Sequence, residues 1–165
     1  MDEWHDFFLA QAGAAGVLTG LVFVGVSINL EKIISDPNSG LPGRAAEARI
    51  LLVVVLIMST LLLVPGQGTT LVGAEVLALG LGAWVWIGAI HLLRTRDWGT
   101  MRPDLRRPFV LRVALGQIAS LTLVVAGIAV LGWGLGGLYW LVVGTNLAIL
   151  VALFDAWVLL VEINR

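Results

Sequence analysis

The sequence predicts an all-α integral membrane bundle of five transmembrane helices, with the N-terminus outside and the C-terminus cytoplasmic. Three observations lead there. First, 59% of the 165 residues are apolar and only 13% are charged, about half the roughly 25% charge of soluble domains. Mean hydropathy is +0.97, and so few charges cannot cover a water-facing surface. Second, the chain contains five stretches of the roughly 20 apolar residues needed to cross a ~30 Å hydrocarbon layer. Third, Lys and Arg alternate between connecting loops in the way that sets membrane topology.

The spans fall at about 6–33, 45–64, 69–93, 108–131 and 138–163, in a single transmembrane domain covering 1–165. All five prolines (Pro37, Pro42, Pro65, Pro103 and Pro108) sit in predicted loops or at span ends, so uninterrupted helices are expected. The hairpins 64–69 and 132–137 are short and Gly-rich and join antiparallel neighbours. Lys32 and Arg44 mark the first loop, and Arg94, Arg96, Arg102, Arg106 and Arg107 the third; the second and fourth carry no basic residue. Loops one and three and the C-terminal Arg165 are therefore expected in the cytoplasm. The acidic start, lacking a basic n-region, does not read as a signal peptide. Trp4, Trp133, Tyr139 and Trp140 fall at the outer interface and Trp98 and Trp157 near the inner one, as an aromatic belt requires.

Composition excludes several function classes. There is no Cys, so disulfides, thiolate nucleophiles and Cys-ligated metals are out. The histidines are His5 and His91, with no HExxH spacing, and the one lysine is Lys32, near a boundary. No P-loop, dinucleotide fingerprint or triad pattern occurs. No catalytic residue, metal, cofactor or nucleic-acid partner is expected, and the chain does not read as an enzyme. The Gly132–Gly137 stretch reads as a turn. The basic segment 94–107 reads as a topology signal, or as a contact for anionic lipid or an acidic partner.

Small residues recur every four positions: Ala12, Gly16 and Gly20; Ala74, Ala78 and Gly82; Gly144, Ala148, Ala152 and Ala156. Such stripes let helix backbones approach closely in lipid. They are expected to pack the spans within one copy or to join copies in a homo-oligomer.

Polar groups inside spans are the candidate functional residues. An outer layer holds Gln11, Glu75 and Asn146, each about 8–10 Å inside its span end by helical rise. No Lys or Arg lies in the outer halves. Glu75 therefore reads as a proton or cation site, or as a hydrogen bonder to Gln11, Asn146 or a backbone carbonyl. An inner layer holds Asn29, Glu47, Arg49, His91, Arg112 and Asp155. Arg112 and Asp155 lie about 8 and 10 Å deep by rise on successive antiparallel helices, which predicts an ion pair. Glu47 and Arg49 are expected nearer the headgroups, snorkelling or paired with loop charges, and His91 is expected at the interface beside Arg94. Gln11 and Asn29 share one face of the first span, with Ala15, Leu18, Val22 and Gly25 between them. That line reads as a dewetting gate or as a packed seam.

Four segments carry a resemblance: Trp4-His5-Asp6-Phe7-Phe8; Gly20-Leu21-Val22-Phe23-Val24-Gly25-Val26-Ser27-Ile28-Asn29-Leu30; Leu41-Pro42-Gly43-Arg44-Ala45-Ala46-Glu47-Ala48; and Leu62-Leu63-Val64-Pro65-Gly66-Gln67. Over its first half the chain resembles an uncharacterised family of small bacterial multi-pass membrane proteins. Some members are labelled modulators of the FtsH-type membrane protease. The resemblance implies a bacterial plasma-membrane location and transfers no catalytic residue. The expected function is a channel-like or transport role for ions, protons or small solutes in a homo-oligomer. The other reading is a regulatory or scaffold subunit that binds another membrane protein.

Overall fold

A computed structural model describes residues 2–35, 40–95 and 103–161. Arg96, Trp98, Arg102 and Arg165 lie outside the described residues. Among the described residues the chain is helical, with no strand. The helices are α1 (Asp2–Ile28), α2 (Leu30–Ser35), α3 (Leu41–Leu62), α4 (Thr69–Thr95), α5 (Pro103–Trp133) and α6 (Leu138–Leu160), with a 3-10 turn at Gly134–Gly137 before α6. Four segments are long and apolar enough to cross a membrane: Glu3–Ile28, Leu41–Leu62, Thr69–Thr95 and Arg106–Leu160. The last has 55 residues, far beyond the about 20 needed for one crossing. It is a hairpin in which α5 and α6 pack on each other, reversed at Gly134, whose φ of 62° suits glycine.

Helix ends follow local chemistry. The first span was expected to run unbroken to residue 33, but α1 stops at Ile28. There Asn29 donates to the Gly25 carbonyl through both its backbone N–H (3.2 Å) and its side-chain amide (3.1 Å). Its side chain thereby competes with the backbone ladder, and the short α2 resumes beyond it. Helix α3 starts four residues before its predicted edge because Gly40, at φ 84°, supplies the N-cap and Pro42 follows in the first turn. Helix α5 starts at Pro103, which places Pro108 inside the helix rather than at its edge. Pro108 lies in the second turn, where the bond lost through its missing N–H falls near the helix end.

Helix α3 packs against α1, α4 and α6, while α5 lies between α4 and α6. The most intimate interface joins α4 and α5, and glycine makes it possible. A Cβ on Gly80 would lie 2.9 Å from the Leu123 carbonyl carbon, and one on Gly127 would lie 2.5 Å from Leu77 Cα. On α4 the buried line is Gly73, Val76, Gly80, Ala83 and Ile87. The predicted stripe Ala74, Ala78 and Gly82 faces outward. Both series have small residues at helical spacing, and the glycine positions won because they admit the α5 backbone itself. On α6, Gly144, Ala148 and Ala152 are buried. On α1, Gly16 is half-buried at the edge of α3, and Gly20 is exposed.

Two apolar cores stack along the bundle. One joins Leu51, Leu52, Val55, Ile87, Ala119 and Ala148. The other joins Phe8, Met58, Leu62, Leu123, Leu138 and Leu141 beneath an aromatic cap in which Trp4 meets Tyr139 edge-on at 5.0 Å.

Gly127→Val should overpack the α4–α5 contact and lower stability by about 1–3 kcal/mol. Gly20→Ala, with nothing within 4 Å of its Cβ position, should leave the melting midpoint in detergent unchanged or slightly raised.

Candidate functional site

The start of α3, the end of α4, the start of α5 and the end of α6 converge at the basic end of the bundle. There they assemble a buried ionic network. Helix α3 supplies Arg44 and Glu47, three residues apart and so on one face. Helix α4 supplies His91, α5 supplies Arg112 and Gln117, and α6 supplies Asp155. Arg112 bridges the two carboxylates. Its Nη2 donates to Glu47 Oε2 and its Nε to Asp155 Oδ1 at 3.2 Å. Arg44 Nη1 reaches the same Asp155 oxygen at 3.1 Å. The His91 Nε2 lies 3.2 Å from Glu47 Oε2, and Gln117 Nε2 lies 3.2 Å from His91 Nδ1. With the Gln117 amide oriented as a donor to Nδ1, the His91 proton sits on Nε2 and is donated to Glu47. Two guanidinium groups then balance two carboxylates.

Burial makes this balance obligatory. Glu47 is 0% exposed and Asp155 2%, and an ion removed from water costs several kcal/mol unless a partner compensates it. Room for Glu47 comes from Gly116, one turn beyond Arg112, since any Cβ there would collide with Glu47 Oε1. Two acceptors in the network, Glu47 Oε1 and Asp155 Oδ2, are buried with no hydrogen-bond donor. Each of these oxygens can accept a further hydrogen bond. Among the described residues no group of three or more His, Cys, Asp or Glu could hold a metal.

The Arg112–Asp155 pair expected from matched depth is present, but it is one edge of a larger network. Glu47, expected near the headgroups, is fully enclosed and paired with Arg112 and His91 because Gly116 opens a place for it. His91, expected at the interface, is only 4% exposed. It continues the buried line of Gly80, Ala83 and Ile87 by one more turn, a phase legible in the sequence. Arg44, a loop residue by the sequence reading, lies in the first turn of α3, and Gln117 joins the network with no signal in the sequence pattern that marks it. Arg49 is exposed, and Asn29 is buried on the Gly25 carbonyl, outside the network.

The three residues of the predicted outer layer do not meet. Gln11 is buried and accepts a hydrogen bond from Thr145 Oγ1 at 2.9 Å, linking α1 to α6. Glu75 is half-buried and accepts from Gln67 Nε2, at 3.1 Å to the nearer oxygen. Asn146 is exposed and donates to the Val142 carbonyl at 2.8 Å. Between Gln11 and Asn29, Ala15 and Val22 belong to the apolar core and Leu18 packs against it; that line is a packed seam. No family model, curated protein or solved structure matches the chain.

Asp155→Ala should lower stability by about 3–5 kcal/mol, the typical penalty for leaving a buried charge without its partner. An unchanged unfolding midpoint in detergent would show that Arg112 and Arg44 do not depend on it. Gly116→Ala should also destabilise, by about 1–3 kcal/mol from overpacking, overriding the roughly 1 kcal/mol by which alanine favours a helix over glycine. The same melting experiment checks it.

Proposed function

We propose that the chain is a five-span plasma-membrane protein, basic end in the cytoplasm, that serves as a non-catalytic accessory subunit of a larger membrane assembly. One observation carries this reading. Gln11 is engaged with Thr145 at one end of the bundle, Glu47 and Asp155 with Arg112 at the other, and apolar core residues lie between the two ends. No hydrogen bond among the described residues joins Gln11 and Thr145 to Glu47 and Asp155, which supports a structural use of these groups. What remains for interaction is the outer surface. Helix α1 has the smallest buried share of the candidate spans, and its outward residues Gly13, Val17, Gly20 and Val24 form a face of small and β-branched side chains. Gly13 and Gly20 have open space where a Cβ would be, which allows another helix to approach closely. The basic end holds Lys32, Arg44, Arg94, Arg106 and Arg107, in keeping with a cytoplasmic position. The resemblance to proteins labelled as modulators of a membrane protease fits such a role, and that protease is the kind of partner implied.

A second reading, transport of protons or ions by a homo-oligomer, draws support from the donor-less oxygens of Glu47 and Asp155 and from the outward position of Asn146. The two readings separate in one set of measurements. The chain contains no cysteine, so Gly13→Cys or Gly20→Cys gives a single reactive site. In native membranes these positions should cross-link to a different protein, while Phe154→Cys on the exposed face of α6 should not. Purified protein in liposomes should pass protons no faster than empty vesicles. Cross-links only between copies, or a flux that Glu75→Gln abolishes, would instead support the transport reading.

A further inference from the structure

We propose that the outward face of α6 is a seam on which a second copy of the chain packs in parallel, with Asn146 of one copy hydrogen-bonded to Asn146 of the other. This rests on the chain spanning a bilayer, as proposed above, and goes beyond the accessory role given to α1. Helix α6 spends one side on its own bundle. Leu141, Gly144, Ala148, Ala152 and Asp155 are buried, and the helix packs against α5, α3 and α1. On the other side Tyr139, Val143, Asn146, Leu150, Leu153 and Trp157 are all exposed. Their spacing alternates four and three without a break, the heptad pattern of helices that pack knobs into holes. At 100° per residue the six lie within about 40° of one line, half a turn from the buried side. The stripe that the sequence offered for self-association, Gly144, Ala148 and Ala152, is used up inside one copy.

An apolar seam alone suits lipid as well as a helix, and Asn146 decides between them. It sits in the seam itself, seven residues and so about 10 Å from Tyr139 by helical rise, within the ~30 Å hydrocarbon layer. Its Nδ2 donates to the Val142 carbonyl at 2.8 Å, a contact that fixes which way the amide points. One N–H and the oxygen Oδ1 are left over, and neither is engaged among the described residues. Facing hydrocarbon, such groups cost free energy that an acyl chain cannot offset. A second copy offsets it by symmetry. Copies share one orientation in the membrane, so two α6 helices run parallel and carry Asn146 at the same depth. About a two-fold axis along the bilayer normal, each seam residue meets its own counterpart. A carboxamide is self-complementary in that arrangement, since each Asn146 donates its remaining N–H and accepts on Oδ1. The seven-residue repeat gives the pair a left-handed crossing, and a single Asn among apolar seam residues fixes its register.

The test uses full-length protein in phosphatidylcholine liposomes. The chain has no cysteine, so Leu150→Cys places one thiol in the seam. Val85→Cys, on an exposed face of α4, is the control. On oxidation Leu150→Cys should give a disulfide-linked dimer and Val85→Cys should not. The association constant is read by energy transfer between donor and acceptor dyes on Val85→Cys copies over a range of protein-to-lipid ratios. Asn146→Leu should weaken association about tenfold, the loss expected when paired interhelical hydrogen bonds are removed in lipid. Asn146→Gln keeps the carboxamide and should retain most of the association. Asn146 is exposed in the single copy, so both variants should keep the helical content of the parent by circular dichroism. Monomers at every ratio, equal dimer yields at the two cysteine positions, or unchanged association of Asn146→Leu would each overturn the inference. So would a cross-link from Leu150→Cys to a different protein in native membranes. Flotation separates this from the underlying reading. Protein that floats with the liposomes yet stays monomeric refutes only the seam, whereas protein that stays with the soluble fraction refutes the bilayer reading.

Discussion

One guanidinium organises the basic half of this protein. Arg112 reaches a carboxylate on α3 with one nitrogen and a carboxylate on α6 with another. Neither carboxylate has water to turn to, so each ion is tolerable only while the others stay in place. Arg44 adds the second positive charge that makes the sum neutral, and His91 ties α4 to the same Glu47 oxygen. Four helices are thus held by one set of contacts, and Arg112 is the member whose loss leaves Glu47 without its ionic partner. Geometry at this end is specified by direction and charge, which apolar packing alone does not supply.

The opposite half is built on different terms. Apolar contacts and aromatic edges predominate there, and the polar links are neutral donors on amide or carboxylate oxygens, as in Thr145 to Gln11 and Gln67 to Glu75. Between the halves, α4 and α5 approach through Gly80 and Gly127 until backbone meets backbone. Close approach multiplies dispersion contacts along that seam. Helix α1 stands apart from the network, attached along α3 and by its hydrogen bond to α6. It leaves the most surface open to neighbours.

This division bears on function. The buried charged side chains of the basic half hold the bundle together, and apolar core residues lie between them and Gln11 and Thr145. The outer surfaces, by contrast, are unevenly shaped. Small residues lie open on α1, and an apolar groove runs along the outward face of α4. Under the accessory-subunit reading proposed above, the open face of α1 is where another membrane helix would lie.

Composition and periodicity alone determined the helical class, the number and approximate place of the long helices, and the concentration of positive charge at one end. Each follows from local physics, namely residue hydropathy, segment length and the position of Gly and Pro. The Arg112–Asp155 pair was also legible, because depth along antiparallel helices can be counted in residues. Tertiary structure decided the rest. Which of two small-residue stripes on α4 faces inward depended on α5 presenting a backbone that only Gly80 and Gly127 could admit. Whether Glu47 reached the surface or the core depended on space above Gly116, sixty-nine residues away in the sequence. Helical phase placed His91 on a face, but only the neighbour on that face made it a member of an ionic network. Sequence counts the charges of a helical bundle; the rotation of each helix about its own axis chooses their partners.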